Sequence, residues 1–187
     1  MNTLFKLTIL SLILVHGTNA VKKHNSCSID DTDSSWVGMP GIHSCLRGHR
    51  CVYEIGGNVS PDSGSPGFHT HIPFITKIHQ VKVTWDTDNL DGIECGSKKG
   101  GSKAYLDIRI INRLKNDNDC VIPVFKEFGP FYDNKMIYDY IPTEVAQFCK
   151  QFTMDEIKVG KYDQLDEILM EKLNKNIKSY NLEKCIE

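Results

Sequence analysis

Histidine pairs are the residues whose type and spacing come nearest to a chemical site in this chain. His69 and His71 lie two positions apart in a segment that is expected to be a strand, which would place both rings on one face. Two imidazoles on one face can begin a metal site. No Asp, Glu or Cys at ligand spacing completes that site, so we predict no metal and no cofactor.

Four further metal-capable side chains fall within nine residues, at His43, Cys45, His49 and Cys51. Their spacing is too tight for a paired zinc knuckle, so a disulfide in an oxidising compartment, or no bond at all, is favoured over zinc. The chain has seven cysteines, an odd number, so at least one is free or paired with another chain.

The remaining candidates for catalysis have simpler interpretations. Asp163, Asp166 and Glu167 could divide acid and base roles, but on an amphipathic helix they are typical of a solvated face or a first helical turn. The glycine-rich segment 96–101 lacks the ending and context of a phosphate loop, and no nucleophile elbow is present. We therefore predict that the chain is not an enzyme.

Composition places the chain among globular proteins. Its 187 residues, 40% hydrophobic and 25% charged, are enough for one domain with a real core and a tail. The 22 basic and 24 acidic residues are interspersed and nearly cancel. Nucleic acid is therefore an unsuitable partner, because no basic stripe is present to bind a phosphate backbone.

The N-terminus predicts entry into the secretory pathway. Residues 1–20 combine Lys6, an apolar run over 7–15 and a small-residue site at 18–20, which is typical of a cleaved signal peptide or of an uncleaved signal anchor. Residues 21–47 predict a flexible linker. In a lumenal chain, Asn58 with Ser60 forms a glycosylation acceptor on a predicted surface loop.

Hydrophobic periodicity predicts strands first and helices afterwards. Strands are predicted over 51–55, 68–78, 81–87 and 104–114, with loops at 58–67 and 96–103. Helices are predicted over 121–128, over 134–152 with a kink or restart at Pro142, and over 162–179. Thr153 and Glu156 form a helix-start signature. This order predicts an α+β fold.

Residues 48–182 also carry an ordered series of short motifs. These are Gly48-His49, Val52-Tyr53, Gly56-Gly57, Ser65-Pro66-Gly67-Phe68-His69, Pro73-Phe74-Ile75-Thr76, Thr87-Asp88, Cys95-Gly96, Tyr105-Leu106-Asp107, Gln147-Phe148-Cys149 and Asp163-Gln164-Leu165-Asp166-Glu167. Each piece is common alone, but the order is specific. The series resembles the first domain of erlins, the endoplasmic-reticulum branch of the stomatin/prohibitin/flotillin (SPFH, Band 7) family. The domain would span 48–182, with a tail at 183–187.

The resemblance implies a fold and a set of structural residues. It implies an SPFH domain in which Cys95 and Cys149 either pair with each other or have separate structural roles. Structural roles are implied for Gly48, His49, Gly56, Gly57, Pro66, Gly67, Phe68, His69, Pro73, Phe74, Cys95, Gly96 and Cys149.

The resemblance also implies a function. Erlins are non-enzymatic scaffolds of the endoplasmic-reticulum membrane that associate with cholesterol-rich microdomains and with other erlins. They bind a membrane ubiquitin ligase and clients of the inositol trisphosphate receptor class in ER-associated degradation. We expect the chain to face the lumen and to be truncated before the coiled coil of an erlin. The alternative is a soluble lumenal or secreted binding protein that has lost the anchor and the assembly helix.

Overall fold

The computed structural model describes residues 41–96, 103–157 and 161–187, together with the backbone of residues 6–13. The strands are β1 (Lys6–Ile13), β2 (Ile42–Cys45), β3 (His49–Ile55), β4 (Asn58–Gly64), β5 (Gly67–Thr70), β6 (Thr76–Lys82), β7 (Asp86–Gly96) and β8 (Lys103–Asn112). The helices are α1 (Asn118–Phe128), a π-helix (Asn134–Tyr138), α2 (Tyr140–Cys149), α3 (Met154–Glu156) and α4 (Tyr162–Ser179). Antiparallel sheets followed by helices confirm the predicted α+β class.

The described residues form two compact units, so the predicted domain at 48–182 has two parts. The first unit contains β1, β7, β8, the π-helix and α2 to α4. The second contains β2 to β6, α1 and the last four residues. β1 falls within the predicted targeting segment 1–20, and removal of that segment stays a prediction. Residues 21–40 of the predicted linker lie outside the described residues.

The first unit is centred on an antiparallel sheet of order β1-β8-β7. The side chains of β8 alternate between a buried and a more exposed face as predicted, and Leu106, Ile108 and Ile110 are fully buried. Only Asp86 and Thr87 of β7 fall within a predicted strand, and the rest of β7 was not predicted. Its buried residues change phase at a bulge between Leu90 and Ile93, and this break hides the period of two that marks a strand in the sequence.

The helices of the first unit follow the predicted apolar stripes. The predicted helix over 134–152 is interrupted, as the π-helix ends at Tyr138 and α2 restarts at Tyr140. Pro142 is the third residue of α2, where a helix needs no backbone donor. The predicted cap is confirmed, since the backbone N–H of Thr153 donates to Glu156 Oε2 over 2.8 Å. Four residues of α4 form its fully buried stripe: Leu165, Leu169, Leu173 and Ile177.

The second unit contains a sheet of order β4-β3-β6, a two-stranded ribbon of β2 and β5, and α1, which packs against β3 and β4. Asn118, the first residue of α1, joins the helix to β4. Its Oδ1 accepts hydrogen bonds from the backbone N–H of Ser63 over 2.9 Å and from the Ser63 hydroxyl over 2.6 Å. The helix that was predicted over 121–128 is confirmed, with three more residues at its start.

Several predicted boundaries in the second unit are wrong. The predicted loop over 58–67 contains β4, and the predicted linker over 21–47 contains β2. The predicted strand over 68–78 is split into β5 and β6, because Pro73 lacks a ladder donor and Phe74 has a left-handed backbone with φ of 68°. Residues 83–85, predicted as strand, lie outside the strands of the described residues.

The predicted tail at 183–187 is tied into the second unit. The backbones of Arg113 and Glu187 exchange two hydrogen bonds of 2.7 and 2.8 Å, and Leu114 forms a β-bridge with Ile186. Ile186 is fully buried. The short, polar C-terminal sequence did not predict this pairing, because the segment that it pairs with lies about seventy residues earlier in the chain.

Three disulfides join six of the seven cysteines. They are Cys45–Cys51, Cys95–Cys149 and Cys120–Cys185. The bridge between Cys95 and Cys149 settles the alternatives that the family resemblance had left open, and it lies within the first unit. Cys27 lies outside the described residues.

Candidate functional site

An exposed apolar loop connects β5 to β6 in the second unit. We call Ile72, Pro73, Phe74 and Ile75 the apolar loop. Phe74 is fully exposed, and Ile72 and Ile75 are 58% and 52% exposed. Water therefore contacts three large apolar side chains within four residues. Clusters of this kind mark contacts with membranes or proteins, whereas single exposed apolar residues need no explanation.

The backbone on both sides of the apolar loop is held in place. The N–H of His71 donates to the carbonyl of Gly41 over 2.8 Å, and the N–H of Gly56 donates to the carbonyl of Ile75 over 3.2 Å. The positive φ of Phe74 is uncommon for a residue other than glycine. The loop thus presents its apolar side chains from a fixed base. Phe68, on neighbouring β5, is a further large apolar side chain and is 75% exposed.

Three histidines and a tyrosine gather on one side of the β2–β5 ribbon. We call His43, His69, His71 and Tyr53 the ring cluster. His43 lies directly opposite His69 in the strand register, and their rings stack with centroids 5.6 Å apart. The Nδ1 atoms of His43 and His71 lie 3.2 Å apart, and the Nε2 of His43 lies 3.3 Å from the Tyr53 hydroxyl.

Burial and hydrogen bonding restrict where hydrogens lie on two rings of the ring cluster, His43 and His69. His43 is only 1% exposed, and burial, followed by the neighbouring His71 and His69, lowers its pKa. Its ring is therefore neutral at pH 7. Burial also raises the pKa of Tyr53. The Nε2 of His69 lies 2.5 Å from the carbonyl oxygen of Ser65, which can only accept, so this nitrogen carries a hydrogen.

A cluster of three carboxyl groups lies in the first unit. Asp86 and Asp88 of β7 meet Asp133, and the oxygens of the three side chains lie within 4.8 Å of one another. The amide of Asn112 donates to Asp88 Oδ2 over 2.6 Å, and the Tyr138 hydroxyl also hydrogen-bonds to Asp88. Carboxylate oxygens suit hard cations such as Ca²⁺. The same closeness makes ionisation of all three groups unfavourable.

Asp88 is the buried member of this carboxyl cluster. Burial, followed by repulsion from Asp133 and Asp86, raises the pKa of Asp88 to about 7. Burial and the adjacent Asp88 also raise the pKa of Tyr138. Asp88 therefore changes its charge near neutral pH within the folded protein.

The structure places the other predicted residues at turns and surfaces. Gly48 has φ of 81°, and a Cβ there would lie 2.8 Å from the Thr84 methyl group, so glycine is required. His49, Gly56, Gly57, Pro66, Gly67 and Gly96 lie in β3, at its turn with β4, at the turn before β5, or at the end of β7. Asn58 is exposed at the first residue of β4. Their functional roles stay predictions.

The predictions about chemistry have mixed outcomes. The six described cysteines are in disulfides, so none of them is a free nucleophile. The favoured disulfide in the cluster of His43, Cys45, His49 and Cys51 is confirmed. Glu167 is exposed on α4, as a solvated face predicts, and the side chain of Asp163 lies outside the described residues.

Sequence reasoning did not predict the surroundings of two site residues. It named His43 as metal-capable but assigned it to a flexible linker, whereas strand pairing brings its ring to His69 and His71. It noted Asp88 only as part of a motif. Its burial among other carboxyl groups had no sequence signal, because Asp133 lies 45 positions away and most of β7 was not predicted.

Comparison with known proteins identifies the family of this α+β chain. The profile described as SPFH domain / Band 7 family matches residues 46–184. The chain is similar to Erlin of Caenorhabditis elegans, with 32% identity over 145 residues, and to Erlin-1 of Homo sapiens, with 34% identity over 137 residues. It is 33% identical over 137 residues to Erlin-1 of Danio rerio.

The chain therefore belongs to the SPFH domain / Band 7 family. The three alignments cover 76%, 73% and 73% of this chain, and 46%, 38% and 39% of the relatives. The chain spans less than half the length of the curated relatives that it matches. In the described part of the chain, every helix is too short or too polar to cross a membrane.

Proposed function

We propose that the chain is an erlin-like, non-enzymatic scaffold at the lumenal face of the endoplasmic-reticulum membrane, and that its apolar loop contacts the bilayer. The observation that carries the proposal is the full exposure of Phe74 beside Ile72 and Ile75 in a chain similar to erlins. Phenylalanine and aliphatic side chains of interfacial segments bury into the boundary between lipid headgroups and acyl chains. Removing one such side chain from water contributes about 1.5–3 kcal/mol, so two of them can produce measurable binding.

Vesicle flotation tests the membrane contact. The full chain is mixed with phosphatidylcholine vesicles, with and without cholesterol, and the bound fraction gives a partition coefficient. We expect the double variant Phe74→Ser/Ile75→Ser to lower that coefficient at least about tenfold, since it removes most of the apolar area. Phe131→Ser is the matched control, because Phe131 is a 47% exposed aromatic of the same unit outside the loop. Equal flotation of the double variant and the native chain would eliminate the loop as the contact.

Partners of the scaffold are proposed from the family similarity alone. They are a membrane ubiquitin ligase, other erlins, cholesterol-rich membrane and clients of the inositol trisphosphate receptor class in ER-associated degradation. Affinity capture of the tagged chain from cells, followed by mass spectrometry, tests them. Recovery of neither a ubiquitin ligase nor a full-length erlin would contradict the adaptor role, even if the chain bound vesicles.

The alternative function is that of a soluble lumenal or secreted binding protein. The short apolar run at 7–15, followed by the small-residue site at 18–20, favours it. Cleavage after Ala20 would also remove β1 from its pairing with β8. Mass spectrometry of the N-terminus together with alkaline carbonate extraction distinguishes the two functions. An intact chain in the membrane pellet supports the scaffold, and a cleaved chain in the supernatant supports the alternative.

We also propose that Asn58 carries an N-linked glycan. Its side chain is exposed at the start of β4, directly after the Gly56-Gly57 turn, where an oligosaccharide meets no packed surface. Asn58→Gln and Ser60→Ala should both abolish the mobility shift that a glycosidase produces on the native chain, whereas Asn89→Gln, an exposed asparagine outside such a triplet, should retain it. A native chain that the glycosidase leaves unchanged would contradict the proposal.

A further inference from the structure

The ring cluster offers two imidazole nitrogens at a separation that matches metal coordination. Zinc binds imidazole at about 2.0–2.1 Å with tetrahedral angles, so two nitrogens on one ion lie about 3.3 Å apart. The Nδ1 atoms of His43 and His71 are 3.2 Å apart. A hydrogen bond between neutral rings gives the same distance, so the separation permits either a proton or a metal ion between the two rings.

The other ring nitrogen of His43 has the partner that a metal-bound histidine requires. A ligating histidine usually donates its second N–H to an acceptor, which fixes the ring and makes the ligating nitrogen more basic. The Nε2 of His43 lies 3.3 Å from the Tyr53 hydroxyl, whose oxygen can accept that hydrogen. This arrangement leaves the lone pair of His43 Nδ1 directed at His71.

Strand pairing holds His43 in position. His43 lies on β2 opposite His69 of β5, and the backbone N–H of His71 donates to the carbonyl of Gly41. The stacked ring of His69 is itself fixed by the hydrogen bond to Ser65. His71 is only partly buried, so an ion can reach the pair from its side. Both rings are thus placed before any ion binds.

We propose that His43 and His71 form a binding site for one zinc-type divalent transition-metal ion, with water in the remaining positions. Binding moves the hydrogen between the two Nδ1 atoms to Nε2 of His71, so both Nδ1 lone pairs bind the ion and no proton is released. The ion would connect β2 to the residue that precedes the apolar loop. This inference departs from the sequence prediction of no metal, which considered His43 and His71 in separate clusters and did not bring them together. It does not depend on the proposed membrane function.

Metal titration of the full chain, without a polyhistidine tag, tests the site. We expect isothermal titration with Zn²⁺ to give one site, and Co²⁺ bound there to give a visible d–d absorption. His71→Ala and His43→Ala should each lower the affinity at least about tenfold. Tyr53→Phe should also lower it about tenfold, because outer partners of ligating histidines have effects of about 10- to 100-fold. Mg²⁺ should not compete, since it prefers oxygen ligands.

His49→Ala is the matched control, because His49 lies on β3 of the same unit with its Nδ1 near the Arg47 carbonyl, and its loss should leave the affinity unchanged. Far-UV circular dichroism must show that each variant is folded. Nitrogen-15 spectra of the native chain provide a test without substitutions, as Zn²⁺ should shift the Nδ1 resonances of His43 and His71. A native chain that binds no Zn²⁺, or Nδ1 resonances that Zn²⁺ leaves unchanged, would overturn the proposal and leave a hydrogen-bonded pair of rings.

Discussion

Replacing Asp88 by asparagine should make the protein more stable at alkaline pH and leave it almost unchanged at acidic pH. Asp88 is 4% exposed, and its pKa rises from 3.8 to about 7 on folding. The folded state therefore binds a proton more tightly than the unfolded state does. Stability from this group is fully present below pH 3.8 and is lost as the pH rises from there through about 7.

The magnitude follows from the size of that change. Each unit by which a pKa differs between the folded and unfolded states changes the free energy of unfolding by about 1.4 kcal/mol. A pKa that rises from 3.8 to about 7 on folding therefore corresponds to about 4 kcal/mol. An asparagine side chain at this position would carry no charge at any pH, and its oxygen could still accept the hydrogen bond from Asn112. We therefore expect Asp88→Asn to raise the free energy of unfolding by up to about 4 kcal/mol at pH 8, and by almost nothing at pH 4.

Urea unfolding at a series of pH values from 4 to 8, with EDTA present and disulfides intact, measures this difference. Circular dichroism at the helix band is the suitable probe, because both tryptophans, Trp36 and Trp85, lie outside the segments of the first unit. Subtracting the native profile from that of the variant isolates Asp88 from the other titrating groups. The difference should grow as the pH rises from 4 and should level off above about 7, where Asp88 is ionised in both states.

Asp91→Asn is the matched control, since Asp91 is exposed on the same strand. Its free energy of unfolding should differ from that of the native chain by no more than about 0.5 kcal/mol, as for most substitutions of exposed residues. A flat difference profile for Asp88→Asn would refute the reasoning, because it would mean that Asp88 has the same affinity for protons in the folded and unfolded states. A variant less stable than the native chain at pH 8 would refute it too, by showing that the charged form is the stabilised one.

Removing the disulfide between Cys95 and Cys149 with a double alanine variant should lower the free energy of unfolding by about 4 kcal/mol, because the bridge closes a loop of 54 positions in the unfolded chain. Urea unfolding measures this loss. A loss below about 1 kcal/mol would contradict the loop argument. Leu173→Ala should cost about 2–5 kcal/mol by the same assay, since Leu173 is fully buried, and a near-neutral effect would mean that α4 is not packed as described. Asn118→Ala should cost about 2 kcal/mol in urea unfolding, as it leaves the N–H of Ser63 without its acceptor. Asn118→Asp should not restore that stability, because a carboxylate oxygen would replace the amide that donates to Pro61 and Asp62.

Hydrophobic periodicity in the sequence predicted the elements that are themselves amphipathic. β8 and α4 are amphipathic along their whole length, so the positions of Leu106 and Leu173 on buried faces could be predicted from local spacing. The Thr153 cap is equally local, because both partners lie within three residues. The ordered motifs also identified the SPFH family, which the comparison confirms.

Pairing between distant segments could not be predicted in the same way. Most of β7 was not predicted because the bulge at Gly92 changes the phase of its buried residues. The C-terminal pairing with Arg113 was not predicted because it joins segments about seventy positions apart. The segment around His43 has a polar sequence, and its strand exists only because β5 supplies the hydrogen bonds. Short strands gain little from their own residues and depend on a partner.

The sequence by itself determined the fold class, the family and the cores of the long elements, because each rests on residues near one another or on the order of short motifs. Only the tertiary structure decided what the polar residues do. It brought His43 to His71, gathered Asp88 with Asp133, and left Phe74 exposed at a turn with a left-handed backbone. The chemistry of a side chain depends on its distance from other groups and from water, and those distances are set by chain folding across long separations.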